Sequence, residues 1–317
     1  MTLGQRSAID IETQKHPVVV KRRVPGRKGL SHPTWGFVRR HRRHLDLDRQ
    51  PSSGRVRSGW NSRSSPTAIE RATVGSNYDR IGIGYSQIRR PDPRLALLIA
   101  DAIGDARMVL NIGAGAGSYE PPDGIVVAVE PSSVMLHQHP DSNRVQAKAE
   151  ALPFGHHTFD AAMAVMTVHH WSDLALGLRE MRRVGRRQIV FTWDPDHDRE
   201  LWIVTEYLPV LRRIERSRFP PIDRLVELLG AHTVVPFEIP FDFSDGYQPA
   251  FWRRPEAYLD PRVRAASSTF AQLSDDVVEP AMERLRADLS SGAWAARHQD
   301  LLELDRVDYG YRLLVAG

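Results

Sequence analysis

The sequence predicts a doubly wound α/β fold, and three observations carry that prediction. A five-residue apolar run, Met108–Ile112, is followed at once by Gly113, Gly115 and Gly117. A second run, Ile125–Val129, ends in Glu130. Beyond it, further short apolar runs alternate with stretches of helical periodicity. Short continuous apolar runs mark strands buried on both faces, and their alternation with helices is the pattern of a parallel sheet covered on both sides.

Bulk properties narrow the setting. The chain has 317 residues, enough for one large α/β domain with extra helices or for two separate cores. Its hydrophobic fraction is 41%, ordinary for a globular protein. There is no cysteine, which excludes disulfides, thiolate metal sites, iron–sulfur clusters and cysteine nucleophiles. The apolar runs Leu95–Ala100 and Ile189–Trp193 fall far short of the ~20 residues that span a bilayer. The N-terminus has no apolar core of a secretory signal, so a cytoplasmic protein with no membrane partner is expected.

The net charge of +4 hides an asymmetry. Residues 1–70 hold 15 Lys/Arg against 5 Asp/Glu, whereas residues 71–317 hold 28 against 34. Residues 1–70 are also poor in apolar residues and show neither period, so a basic, disordered tail is expected there. Residues 71–317 are expected to form the folded domain. Its net negative charge argues against nucleic acid as a partner.

The elements follow in order. Leu95, Leu98, Ile99 and Ala102 share one helical face, which predicts a helix over 93–103 with Pro93 in its first turn. Met108–Ile112 reads as the first buried strand. The glycines after it let the backbone turn tightly and let a ligand approach closely. Ile125–Val129 reads as the second strand, and a carboxylate at its end, Glu130, can accept both hydroxyls of a ribose. An adenosine-containing cofactor is therefore expected. The gap from Gly117 to Glu130 is short for a full crossover helix, and Pro121-Pro122 restrict it further. A nicotinamide dinucleotide and S-adenosylmethionine both remain open at this point.

Ala161–Met166 reads as another strand, followed by Thr167-Val168-His169-His170-Trp171. Loops at the carboxyl ends of parallel strands hold ligands, so His169 and His170 are placed where a substrate meets the cofactor. Either could take a proton from a hydroxyl or amine; His170 is preferred, then His169. A helix over 174–183 and a strand over 187–193 follow. Next come a helix over 199–216, a short helix over 222–229 and a strand over 233–239. The last strand is read over 309–315. Between these last two strands lies a long insertion, residues 244–308. It contains a helix over 276–289 whose buried side is read as Leu273, Val277, Met282 and Leu285. This insertion is read as a helical cap over the site, with a homodimer interface or plain packing as the alternative. His137, His139, His156 and His157 lack a third ligand at a convincing spacing, so no metal is expected.

The segments Val109–Gly117, Val127–Pro131, Ala149–Phe154, Phe159-Asp160 and His169–Trp171 together resemble the class I S-adenosylmethionine-dependent methyltransferase family, in its small-molecule branch. The resemblance implies a seven-stranded, mostly parallel sheet with an antiparallel last strand, S-adenosyl-L-methionine as cofactor and a small-molecule acceptor. It implies that Gly113, Ala114, Gly115 and Gly117 cradle the methionine half and that Glu130 binds the ribose. Ala149 and Glu150 are implied at the adenine edge. Asn111, Pro131 and Met166 complete the set, and Tyr78 and Tyr85 match the aromatics of a lid, where a ring attracts a sulfonium. Two positions depart from the family pattern: relatives often carry Asp at Asn111 and at Lys148. A nicotinamide-dependent oxidoreductase and a non-catalytic relative of the fold are the competing readings. No Asn/Asp-Pro-Pro-Tyr motif of nucleic-acid methyltransferases follows the fourth strand.

Overall fold

The computed structural model describes residues 88–140 and 143–317. The expected tail, Tyr78 and Tyr85 lie outside the described residues. Helix α1 (Pro93–Ile103) is capped by Asp92, whose carboxylate accepts the Arg94 N–H at 2.9 Å. Pro93 takes the first helical position, where a missing N–H costs nothing. Leu95, Ile99 and Ile103 form its buried stripe, while Leu98 and Ala102 pack against the edge of the core.

Seven strands follow: β1 (Met108–Ile112), β2 (Ile125–Val129), β3 (Arg144–Val145), β4 (Phe159–Val165), β5 (Gly185–Trp193), β6 (Thr233–Pro240) and β7 (Arg306–Ala316). They lie in the order β3-β2-β1-β4-β5-β7-β6. β1 to β5 pair in parallel. β7 slots between β5 and β6 and runs antiparallel to both. This is the predicted doubly wound sheet with its antiparallel last strand. The strand order reverses at β1, with β2 on one side and β4 on the other. A ligand crevice belongs at the carboxyl ends of these two strands.

Both faces of the sheet are covered. On β1, Val109 joins one core with α1, whereas Leu110 and Ile112 join the other, as the two-residue period of a strand requires. The second core is closed by α3 (Leu174–Val184) and α5 (Ile222–Leu229). Among the described residues, the remaining α-helices before β6 are the short α2 (Ser133–Gln138) and α4 (Val210–Arg218).

Three expectations are corrected. The single helix over 199–216 is instead a π turn, Ile203–Tyr207, followed by α4. Pro209, which has no N–H to continue the ladder, sits at the break. The insertion ends at residue 305, because β7 starts at Arg306. It holds the 3₁₀ turns Gln248–Phe251, Pro255–Leu259 and Phe270–Gln272, and helices α6 (Pro261–Ala265), α7 (Asp275–Ser291), α8 (Ala293–Arg297) and α9 (Gln299–Leu302). The buried face of α7 is Val278, Ala281, Met282 and Leu285; Val277 is 40% exposed. The insertion is part of the core. Trp252 is fully buried and its indole N–H donates to the Ile239 carbonyl of β6 at 3.1 Å. Trp202 in turn donates to the Trp252 carbonyl at 2.8 Å. Among the described residues, no helix is long and apolar enough to cross a membrane.

Candidate active site

A cleft of about 340 Å3 opens where the topology requires it. Its floor is the turn after β1. Gly113 and Ala114 donate their N–H groups to the Val129 carbonyl at 2.8 and 3.0 Å, which pins the turn to the end of β2. The glycines serve different ends. A Cβ on Gly113, at φ 70°, would lie 2.0 Å from Thr167 Oγ1, so Gly113 makes room for the loop after β4. A Cβ on Gly115, at φ 57°, would have Met135 Cε at 3.5 Å as its nearest neighbour. Gly115 is thus the position whose bare backbone faces the cleft. Gly117 abuts the buried His139 ring and does not line the cleft.

Glu130 is buried at the end of β2. Its carboxylate accepts the Gly115 N–H at 3.0 Å and the Ser132 N–H at 2.9 Å. The residue therefore links the glycine turn to the start of α2 and presents a fixed acceptor beside the cleft. Pro131, Lys148 and Ala149 line the same wall. Glu150 also lines it, but one oxygen of its carboxylate takes the Ser172 N–H, the Ser172 hydroxyl and the Asp173 N–H ahead of α3. These donors hold the Glu150 carboxyl below its ordinary range despite its partial burial.

Asn111 ends the polar floor. Its side-chain amide donates to Glu120 at 2.8 Å, and Glu120 is 3.0 Å from His139 Nε2. With its nitrogen committed to Glu120, the Asn111 carbonyl oxygen is left for the cleft that the residue lines. Sequence reasoning named Asn111 and missed Glu120 and His139. Glu120 stands only three residues past Gly117, so its proximity was the available signal.

A second cavity, of about 100 Å3, adjoins the cleft. Arg89 and Met166 line both. Met166 has φ 51°, a conformation that costs a side chain about 1–3 kcal/mol and that clusters at functional sites. Arg89 is held by Asp245 of the insertion, with Nε at 2.5 Å, and lies 5.2 Å from the Tyr247 ring. Tyr119 donates to the same buried Asp245 at 2.7 Å and accepts the Asp92 N–H at 3.2 Å. These contacts, absent from the sequence reading, tie the glycine turn, α1 and the insertion together.

The two histidines part company in the 3₁₀ turn Val168–His170. His170 lines the cleft. Its Nδ1 accepts from Arg218 of α4 at 2.9 Å, since a guanidinium can only donate. Burial, and then the Arg218 charge, push its pKa down to about 3. A neutral ring with Nδ1 occupied carries its proton on Nε2, so neither nitrogen can take another. His169 lines the second cavity instead. It stacks on Phe219 with centroids 3.9 Å apart, and its buried Nδ1 has no hydrogen-bond partner among the described residues. Burial holds it well below its ordinary pKa, so it too is neutral. The two rings thus differ in that Arg218 occupies Nδ1 of His170, the residue preferred as proton acceptor, and no described residue occupies Nδ1 of His169.

Residues 110–191, which span β1 to β5, match the family model described as "Methyltransferase domain". A solved structure from Anabaena variabilis ATCC 29413, described as a "Putative methyltransferase from antibiotic biosynthesis pathway", is 33% identical with a TM-score of 0.69. The match covers 73% of this chain and 100% of that one. The chain belongs to the class I S-adenosylmethionine-dependent methyltransferases. It is a methyltransferase with S-adenosyl-L-methionine as cofactor, and the nicotinamide reading of the glycine turn falls away. The uncharacterized protein YafE of Escherichia coli K12 is 29% identical over 125 residues, 36% of this methyltransferase. That alignment spans 58% of the curated relative's length.

Proposed function

We propose that this methyltransferase acts on a small-molecule acceptor held in the 100 Å3 cavity beside the cofactor cleft. The observation that carries the reading is the contact of the two spaces at Met166 and Arg89, with the insertion residues Tyr247–Pro249 and Ala266–Thr269 in the cavity wall. A space of this size suits a small compound.

The cleft suits the cofactor on its own chemistry. Gly115 offers bare backbone, Glu130 offers fixed acceptors for ribose hydroxyls, and Asn111 offers a carbonyl oxygen for an ammonium. Ala149 offers its backbone at the adenine end. Bound there, the cofactor supplies an activated methyl group. The protein's share of the work is alignment, since a good electrophile needs mainly an acceptor held in line and close. Met166 and Arg89 form the passage between the two compartments. His169, which lines the cavity, is our candidate to take a proton from an acceptor. Arg218 positions His170 and thereby the 3₁₀ turn that carries both rings.

The test has two stages. Calorimetry with S-adenosylhomocysteine should give one site per chain. Release of that product from S-adenosylmethionine should then rise with pools of small metabolites and stay at background with peptide or oligonucleotide pools. A rise with oligonucleotides and none with metabolites refutes the small-molecule reading.

A further inference from the structure

Three arginines of the second cavity stand in one cluster. Arg199, Arg212 and Arg216 line this cavity, and none of them lines the cofactor cleft. Arg212 and Arg216 are four residues apart on α4, so they share a helix face. Both guanidiniums turn to the same Glu200 oxygen, at 2.5 and 3.7 Å. Arg199 precedes Glu200 in the chain. Burial pushes the hydroxyl of Tyr309, another wall residue, up, and the Arg199 charge opposes that push. The third guanidinium is therefore also felt at the wall.

The acids of the wall do not balance these cations. Glu200 is one carboxylate shared by two guanidiniums. Glu215 is the other carboxyl of the wall, and burial pushes it up to about 7, so it is only partly ionised near neutral pH. Asp194, Asp196 and Asp198 are close in sequence but do not line the cavity. Arg89, the fourth arginine of the wall, is matched by Asp245. The wall keeps an excess of positive charge, and such a field draws anions.

The cluster is also within reach of a ligand. The side chains of Arg212 and Arg216 are 51% and 45% exposed, which puts them at the rim. Each guanidinium is a planar fork of five N–H donors. Two forks outnumber the oxygens of one carboxylate, so donors remain for a second oxyanion. Elsewhere the wall is apolar, with Met166, Trp193, Leu201, Val204 and Phe219. The cavity thus joins an apolar interior to a cationic rim.

We infer that the acceptor is an anion: a compact apolar or aromatic body bearing a carboxylate or phosphate group, which Arg212 and Arg216 hold at the rim with Arg199 beside them. The inference rests on the acceptor-cavity reading given above and adds the acceptor's charge class to it. Met166 and Arg89 line both spaces, whereas the three arginines line the second alone. The charged group therefore serves to orient the acceptor, with its other end towards Met166.

The experiment is ligand-observed magnetic resonance on the full chain with S-adenosylhomocysteine bound. The probes share one ring: benzoate, phenyl phosphate, benzylamine and toluene. An anionic probe should bind at least about tenfold more tightly than benzylamine or toluene, the scale of a hydrogen bond to a charged group. The tighter of benzoate and phenyl phosphate assigns the oxyanion. Interligand Overhauser contacts should place that probe beside S-adenosylhomocysteine. Arg212→Gln with Arg216→Gln should cut its affinity several-fold and leave toluene unchanged. Glu200→Gln removes the competing carboxylate and should raise the affinity, an effect that a structural role alone would not give. Arg213→Gln, exposed on α4 and outside the cavity wall, should leave it unchanged. A preference for benzylamine or toluene overturns the inference. So does binding of neither anion, anion binding without contacts to the cofactor product, an unchanged anion preference in the double variant, or weaker anion binding in Glu200→Gln. Cofactor contacts from toluene or benzylamine alone would keep the acceptor-cavity reading and overturn the charge class, whereas no contact from any probe would remove both. Thermal melts establish that each variant folds, and titration with S-adenosylhomocysteine alone scores the cofactor site separately.

Discussion

Asn111 donates its side-chain amide to Glu120 across 2.8 Å, and Glu120 lies within 3.0 Å of the His139 ring. The contact gives the Asn111 amide a fixed acceptor in the floor of the cleft. Asn111→Asp would set two carboxylates within hydrogen-bond distance, and like charges so close cannot both ionise cheaply. The variant should melt several degrees below the parent at pH 8 and show a smaller deficit at pH 4.5. Glu120→Ala in the same background should recover much of the loss. Differential scanning calorimetry of the two variants at both pH values decides it.

Gly113→Ala should be among the most damaging single changes. The new methyl group would overlap Thr167 Oγ1 at 2.0 Å on a backbone already at φ 70°. A loss of at least about 2 kcal/mol is expected from the clash and the backbone conformation together. Thr167→Gly should restore only part of it, since the backbone cost remains. Urea unfolding of the single and double variants measures both contributions.

Glu130→Gln should weaken binding of S-adenosylhomocysteine at least about tenfold, the scale of a hydrogen bond to a charged group. A carboxamide has one accepting oxygen, whereas Glu130 takes an N–H on each of its two. Calorimetric titration is the measurement, with Lys148→Ala as a comparison expected to change affinity little.

His170 and Glu215 should shape the pH dependence of stability in opposite senses. The folded pKa of His170 is depressed, so its contribution is intact above 6.5 and is lost as pH falls towards about 3. The limiting slope for this one group is about 1.4 kcal/mol per pH unit. His170→Asn, which keeps an acceptor for Arg218, should flatten the decline between pH 6 and 4.

The folded pKa of Glu215 is raised, so its contribution is intact below 4.5 and is lost as pH rises to about 7. Glu215→Gln should therefore raise the melting temperature at pH 8 and leave it unchanged at pH 4. Chemical denaturation of parent and variant across this range separates the two windows.

The readable parts of this molecule are those set by neighbours in sequence. Met108–Ile112, the three glycines and Glu130 fall within one short stretch, and their spacing alone implied a strand, a turn and an acceptor. The latch that closes the site is different in kind. Tyr119 and Asp245 are 126 residues apart, and Arg89 and Asp245 are 156 apart, so no local pattern joins them. The histidine pair was readable as a site and not as two roles. Adjacent residues on a 3₁₀ turn point in different directions, and only the position of Arg218 shows which ring is already occupied. The one-residue shift in the buried face of α7, from Val277 to Val278, came from reading a stripe without its packing partner.

The insertion leaves the sheet at Pro240 and returns at Arg306, and these two residues are register partners. Its ends already touch, so it is a cassette on an otherwise continuous hairpin. A graft between Pro240 and Arg306 changes part of the second cavity's lining and leaves Asn111, Gly115 and Glu130 as they are. Such a graft must keep two fasteners. Ser244 holds Asp92 at 3.0 Å, and Asp245 holds Arg89 and Tyr119. Within those terms, and with the buried residues of the insertion such as Trp252 kept in the core, the lining of the second cavity can be changed by exchanging one contiguous length of chain.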